Sequence, residues 1–173
     1  TVVALLAAAV AAKHEYQTAY MAPTEILATQ HVETANKLLG PLGISTALLV
    51  AGLKAEQKQK VHEGLADGNI DLVVGTQALL SEKVNFANLG LVVVDEQHRF
   101  GVEQRSHLKS KSHLSPHILT MTATPIPRSL ALVVYGDLDV SAINELPAER
   151  KPVTTKVYTD RQRLSAYQHI EER

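Results

Sequence analysis

The chain has 173 residues, 45% hydrophobic and 20% charged, which excludes intrinsic disorder for the whole and leaves length enough to bury a core. Seventeen Lys and Arg against 18 Asp and Glu give a net charge of −1, so no global basic field imposes a nucleic-acid partner, though a local groove can still be basic. The absence of cysteine excludes disulfides and thiolate metal sites and fits a cytoplasmic protein.

Residues 2–12 form an unbroken apolar run, VVALLAAAVAA. It is too short for a membrane span of ~20 residues, and no positive region precedes it as in a secretion signal. Its Ala content predicts a closely packed helix buried on all sides. The chain begins at Thr1 in mid-pattern, so the natural protein is expected to extend upstream.

Strand-length apolar runs then alternate with helical stretches. Residues 17–22 (QTAYMA) read as a strand. Apolar Ala28, Val32, Ala35 and Leu39 recur at helical spacing and predict a helix over Glu25–Leu39. Gly40-Pro41 is expected to end it, with the glycine in a left-handed cap. Residues 44–50 read as a strand, and 54–65 as a charged helix with Glu56 and Lys60 one turn apart. Asp67-Gly68-Asn69 is a turn signal, and 70–75 and Leu89–Val94 are further strands. Residues 116–122 read as a strand, and 127–135 as a short helix. This alternation predicts an α/β fold, a parallel sheet with helices on both faces. A polar segment with two prolines, 145–152, reads as a linker between a domain at 1–144 and the start of another at 153–173, with a strand at 153–158 and a helix after it.

The most specific signal is LVVVDEQH. A buried strand ends in Asp95 and Glu96, with His98 just beyond. Ligands of parallel sheets bind beyond the carboxyl ends of the strands. An Asp there can hold Mg²⁺ on a nucleoside triphosphate, and a neighbouring Glu can activate a water. Three weaker signals join it: Thr122-Ala123-Thr124-Pro125 after one strand, Ala22-Pro23-Thr24-Glu25 after another, and Gly75-Thr76 after a third. Each can also be a turn or a helix cap. Residues 95–128 hold five cationic and three acidic side chains and four of the eight histidines, the locally basic stretch. His107, His113 and His117 do not complete a zinc site, because no Cys or nearby carboxylate joins them. A non-catalytic binding module and a Mg²⁺-dependent hydrolase centred on Asp95 are the rival readings.

DEQH resembles the Walker B motif of superfamily 2 helicases and translocases, TAT their motif III, APTEILA their motif Ia and GTQALL their motif Ib. The strings DEQHRFGV, TMTATPIPRSLAL, VYGDLDVS and ELPAERKPVTT resemble the bacterial fork-remodelling DNA helicases of that superfamily. The resemblance implies a RecA-like first motor domain, truncated within its P-loop, plus the start of a second. It implies ATP and Mg²⁺ as cofactors. It implies duplex and branched DNA as partner, replication forks and Holliday junctions, in the bacterial cytoplasm and away from membranes. By motif, Asp95 would hold Mg²⁺, Glu96 would activate water, and His98, Thr122 and Thr124 would couple nucleotide state to DNA movement. Thr1 would be the P-loop Thr on Mg²⁺. Pro23, Thr24, Gly75 and Thr76 would face the DNA backbone, with Arg99 and Arg128 as further DNA contacts. The P-loop Lys, most of the second motor domain and the wedge domain would lie elsewhere in the polypeptide. The 173 residues by themselves are expected to be inactive.

Overall fold

The structure is a computed structural model that describes residues 1–96, 115–123, 139–143, 145 and 155–171. His98, Arg99, Thr124, Arg128, the helix expected at 127–135 and nearly all of the expected linker lie outside the described residues. The chain divides into two compact units, Thr1–Ile126 and Pro127–Arg173.

In the first unit the elements are α1 (Val2–Lys13), β1 (Gln17–Met21), α2 (Glu25–Leu39), β2 (Thr46–Leu49), α3 (Ala55–Ala66), β3 (Leu72–Gly75), β4 (Leu89–Val94) and β5 (His117–Thr120). Short 3₁₀ turns stand at Gly40–Leu42 and Gln77–Leu80. The five strands form one parallel sheet in the order β2-β3-β1-β4-β5. The α/β expectation holds. β1, β3 and β4 are almost wholly buried because helices cover both faces. On one face Tyr20, Leu72, Val74, Leu91 and Val93 pack with residues of α1 and α2. On the other, Ala19, Met21, Val73, Val92 and Val94 pack with Leu65 of α3 and with Leu79.

The helix α1 departs from its expectation of burial on all sides. Ala4, Leu5 and Ala8 are buried, whereas Val2, Val3, Leu6 and Val10 are 54–61% exposed. The small residues at one stripe let the helix approach the sheet, and the opposite stripe is left more than half exposed. A run apolar at every position carries no periodic signal to say which side is covered. The end of α2 also departs. Gly40 is right-handed and opens a 3₁₀ turn with Pro41. The left-handed conformation passes to Gly43, at φ 76°, whose N–H donates to the Gly40 carbonyl at 2.9 Å.

The N-terminal edge of the sheet is pinned by side chains. Gln17, 3% exposed, donates to the Leu65 and Ile70 carbonyls and accepts from the Asn88 N–H, so its amide is satisfied in the core. Asp71 accepts from both the N–H and the hydroxyl of Ser45. That binds Asp71 to the edge opposite Asp95, as its place at the start of a strand suggests.

In the second unit a 3₁₀ turn at Asp160–Gln162 leads into α4 (Arg163–Glu171), capped by reciprocal hydrogen bonds between Thr159 and Gln162. The strand expected at 153–158 is absent from its described part, residues 155–158. A strand persists only with a ladder partner, and none is present for it among the described residues. Nor is any helix among the described residues long and apolar enough to cross a membrane.

Candidate functional site

The strand order reverses between β1 and β4: β2 and β3 lie on one side of β1, and β4 and β5 on the other. Ligands of open parallel sheets bind in the crevice at such a switch point. Asp95 stands there. Its N–H donates to the Met21 carbonyl at 2.9 Å, which ties the tip of β4 to the tip of β1. Glu96 follows with φ 49°, a left-handed conformation rare for a residue with a Cβ, and its N–H donates to Asp95 Oδ1 at 3.0 Å. Strain of this kind is concentrated at working sites.

The other carboxylate oxygen, Oδ2, pairs with His31 Nε2 at 3.0 Å. The His31 side chain is 11% exposed and that of Asp95 19%. The His31 ring rests on Tyr20, with centroids 4.8 Å apart and planes tilted by 40°. The His31 hydrogen bond, first of all, holds the Asp95 carboxyl below the usual carboxylate range. Burial opposes this, while the field of His31 and the Glu96 N–H reinforce it. Asp95 is therefore ionised at neutral pH. The Tyr20 hydroxyl is buried without a partner at hydrogen-bonding geometry. Burial, and then the charge of Asp95, push its phenol up, while the Thr1 side chain draws it the other way. Thr1, Tyr20, His31 and Asp95 thus form one group.

The other expected site residues fall on the same edge of the sheet. Pro23 and Thr24 lie just past the end of β1 and are half-buried. Thr24 caps α2, its hydroxyl accepting from the Leu27 N–H at 3.3 Å. Thr24→Ala is expected to lower unfolding stability by about 1 kcal/mol in chemical denaturation, whatever its effect on ligands. An unchanged midpoint would show that the cap contributes nothing. Gly75 ends β3, and Thr76 leads into a 3₁₀ turn, not an α-helix. Thr122 is exposed two residues beyond β5, where the Met121 N–H donates to the Val94 carbonyl at 2.9 Å.

Sequence reasoning missed His31 and Tyr20. A signal for His31 was available: Ala28, His31 and Ala35 share the buried face of α2 at helical spacing, and an imidazole among alanines there needs a polar partner. Among the described residues no group of three or more His, Cys, Asp or Glu could hold a metal. An ionised Asp at a crevice, without a protein cage, suits Mg²⁺, which takes one or two carboxylates and completes its shell with phosphate oxygens and water.

The family model for DEAD/DEAH box helicases matches residues 1–133. The chain belongs to the DEAD/DEAH box helicase family. Among its relatives, the ATP-dependent DNA helicase RecG of Aquifex aeolicus (strain VF5) is 50% identical over 173 residues, spanning 99% of this chain and 22% of that protein. RecG of Streptococcus pneumoniae is 51% identical over 156 residues, spanning 90% of this chain and 23% of that one. A solved RecG bound to a three-way DNA junction superposes with a TM-score of 0.80 and 42% identity, over 98% of this chain and 22% of that one. A DEAD box protein of Methanococcus jannaschii shares the fold, with a TM-score of 0.54 and 20% identity over 69% of this chain and 34% of that one. The chain therefore spans about a fifth of the length of the curated relatives it matches.

Proposed function

We propose that this chain is the first RecA-like motor domain (residues 1–144), a linker (145–152) and the start of the second motor domain (153–173) of a bacterial, cytoplasmic, ATP-dependent DNA helicase that remodels replication forks and Holliday junctions. The observation that carries the reading is Asp95, its carboxylate held by His31 and by the N–H of the strained Glu96, at the sheet's switch point, in a chain half-identical to RecG along its length.

Asp95 and Thr1 would hold Mg²⁺, which when bound neutralises charge on the triphosphate. Glu96 takes the proton of a water whose oxygen attacks the γ-phosphorus. The bond to the bridging oxygen breaks, leaving ADP and inorganic phosphate. Thr122, Thr124 and His98 relay the change, and Pro23, Thr24, Gly75, Thr76, Arg99 and Arg128 serve the DNA backbone. These roles rest on the motif resemblance. The catalytic partners that complete the motor, a P-loop Lys and arginines of a second motor domain, and the wedge domain that reads the branch, belong to the longer polypeptide. Contact with DNA is to phosphates, hence salt-sensitive and weakly selective for base sequence.

The test is ATP hydrolysis by the full-length helicase with no DNA, single strands, linear duplex or a model fork, beside the 173-residue chain alone. Forked DNA is expected to stimulate most, and the short chain to show no turnover. Hydrolysis indifferent to DNA would remove the translocase. No hydrolysis in any arm would leave a binding module.

A further inference from the structure

His31 lies outside every motif the sequence singles out, yet it pairs with Asp95, the first residue of DEQH. The pair joins α2 to the tip of β4 across 64 residues of chain. We propose that His31 is a positioning residue for the Asp95 carboxylate, with Tyr20 as the wall that sets its ring. This rests on the reading of Asp95 as the Mg²⁺-holding carboxylate.

A lone Asp at the end of a strand is free to change rotamer. Here both of its oxygens are engaged, Oδ1 by the Glu96 N–H at 3.0 Å and Oδ2 by His31 Nε2 at 3.0 Å. The imidazole is itself held: it is 11% exposed, on a helix whose Ala28 and Ala35 are buried, with its ring against Tyr20. The chain of support thus runs from the buried strand β1, through Tyr20 and His31, to the carboxylate. An ion that takes a single protein carboxylate depends on that group being preset, because no second carboxylate can correct its aim. Outer partners that orient a ligating group typically contribute 10–100-fold to metal affinity or activity.

The experiment uses the full-length helicase with His31→Phe, His31→Gln and Asp95→Asn. Three quantities are read: Mn²⁺ affinity in the presence of ADP by electron paramagnetic resonance, fork-stimulated kcat and KM for ATP, and thermal unfolding. Phe keeps a ring against Tyr20 but has no donor. Gln keeps an N–H donor but has no ring. His31→Phe is expected to weaken Mn²⁺ binding by about 10–100-fold and to lower kcat, with KM for ATP little changed, while His31→Gln stays within about threefold of the wild type. Wild-type Mn²⁺ affinity in His31→Phe would overturn the proposal. So would equal impairment of Phe and Gln in step with lost thermal stability, since that marks packing alone. Asp95→Asn separates the two readings: wild-type Mn²⁺ affinity and turnover in that variant would sink the assignment of Asp95 itself.

Discussion

On the proposed function, replacing Glu96 by Gln in the full-length protein is expected to lower fork-stimulated ATP turnover by about 10²–10⁴-fold, the usual contribution of a positioned general base. The substitution is nearly isosteric. Gln meets the left-handed backbone at φ 49° on the same terms as Glu, and the N–H that holds Asp95 Oδ1 is a main-chain group. The strand tip and its carboxylate therefore survive, and only the proton acceptor is lost. Affinity for forked DNA in the presence of ATP is expected to stay at the wild-type level, which separates lost chemistry from lost folding. Steady-state hydrolysis with matched DNA binding makes the measurement. Turnover within about threefold of wild type would place the base on another residue.

The second large effect concerns Gly75, and it is one of folding. β3 lies between β2 and β1, and at its end Gly75 pairs with Leu49 on one side and Met21 on the other. A Cβ at this position would stand 2.2 Å from the Leu49 carbonyl oxygen and 3.0 Å from Leu79 Cγ. The first of these is backbone within a sheet ladder and cannot swing aside. The Gly75 carbonyl also accepts from the Ala22 N–H, so a shift of β3 reaches the tip of β1 and with it the site. Gly75→Ala is expected to cost about 3 kcal/mol in chemical denaturation, the upper part of the range for an overpacked core. A DNA-facing role predicts a different pattern: unchanged stability with weakened DNA binding. The packing alone suffices to require glycine here.

Much of this was legible in the chain. The bounds of α2 follow from Ala28, Val32, Ala35 and Leu39, and those of β4 from an unbroken apolar run closed by a carboxylate. The exposed ion pair Glu56–Lys60, at 2.9 Å, follows from i,i+4 spacing and is worth a few tenths of a kcal/mol. The acidic pair belongs at a ligand-binding edge on sequence grounds alone, because parallel strands bring their carboxyl ends together.

By itself the sequence determined the α/β alternation, the helical and extended periods, and the siting of Asp95 and Glu96 at a strand tip. These are local properties, written in the spacing of apolar residues over a dozen positions. The tertiary structure alone decided the strand order, the exposed stripe of α1 and the pairing of His31 with Asp95 over a Tyr20 wall. A periodic pattern says which side of an element is buried, but not what it is buried against. α1, apolar all round, does not say even that. The partner of Asp95 is set by which helix the crossover from β1 to β2 lays on that face, and this is chosen by the packing of the whole sheet.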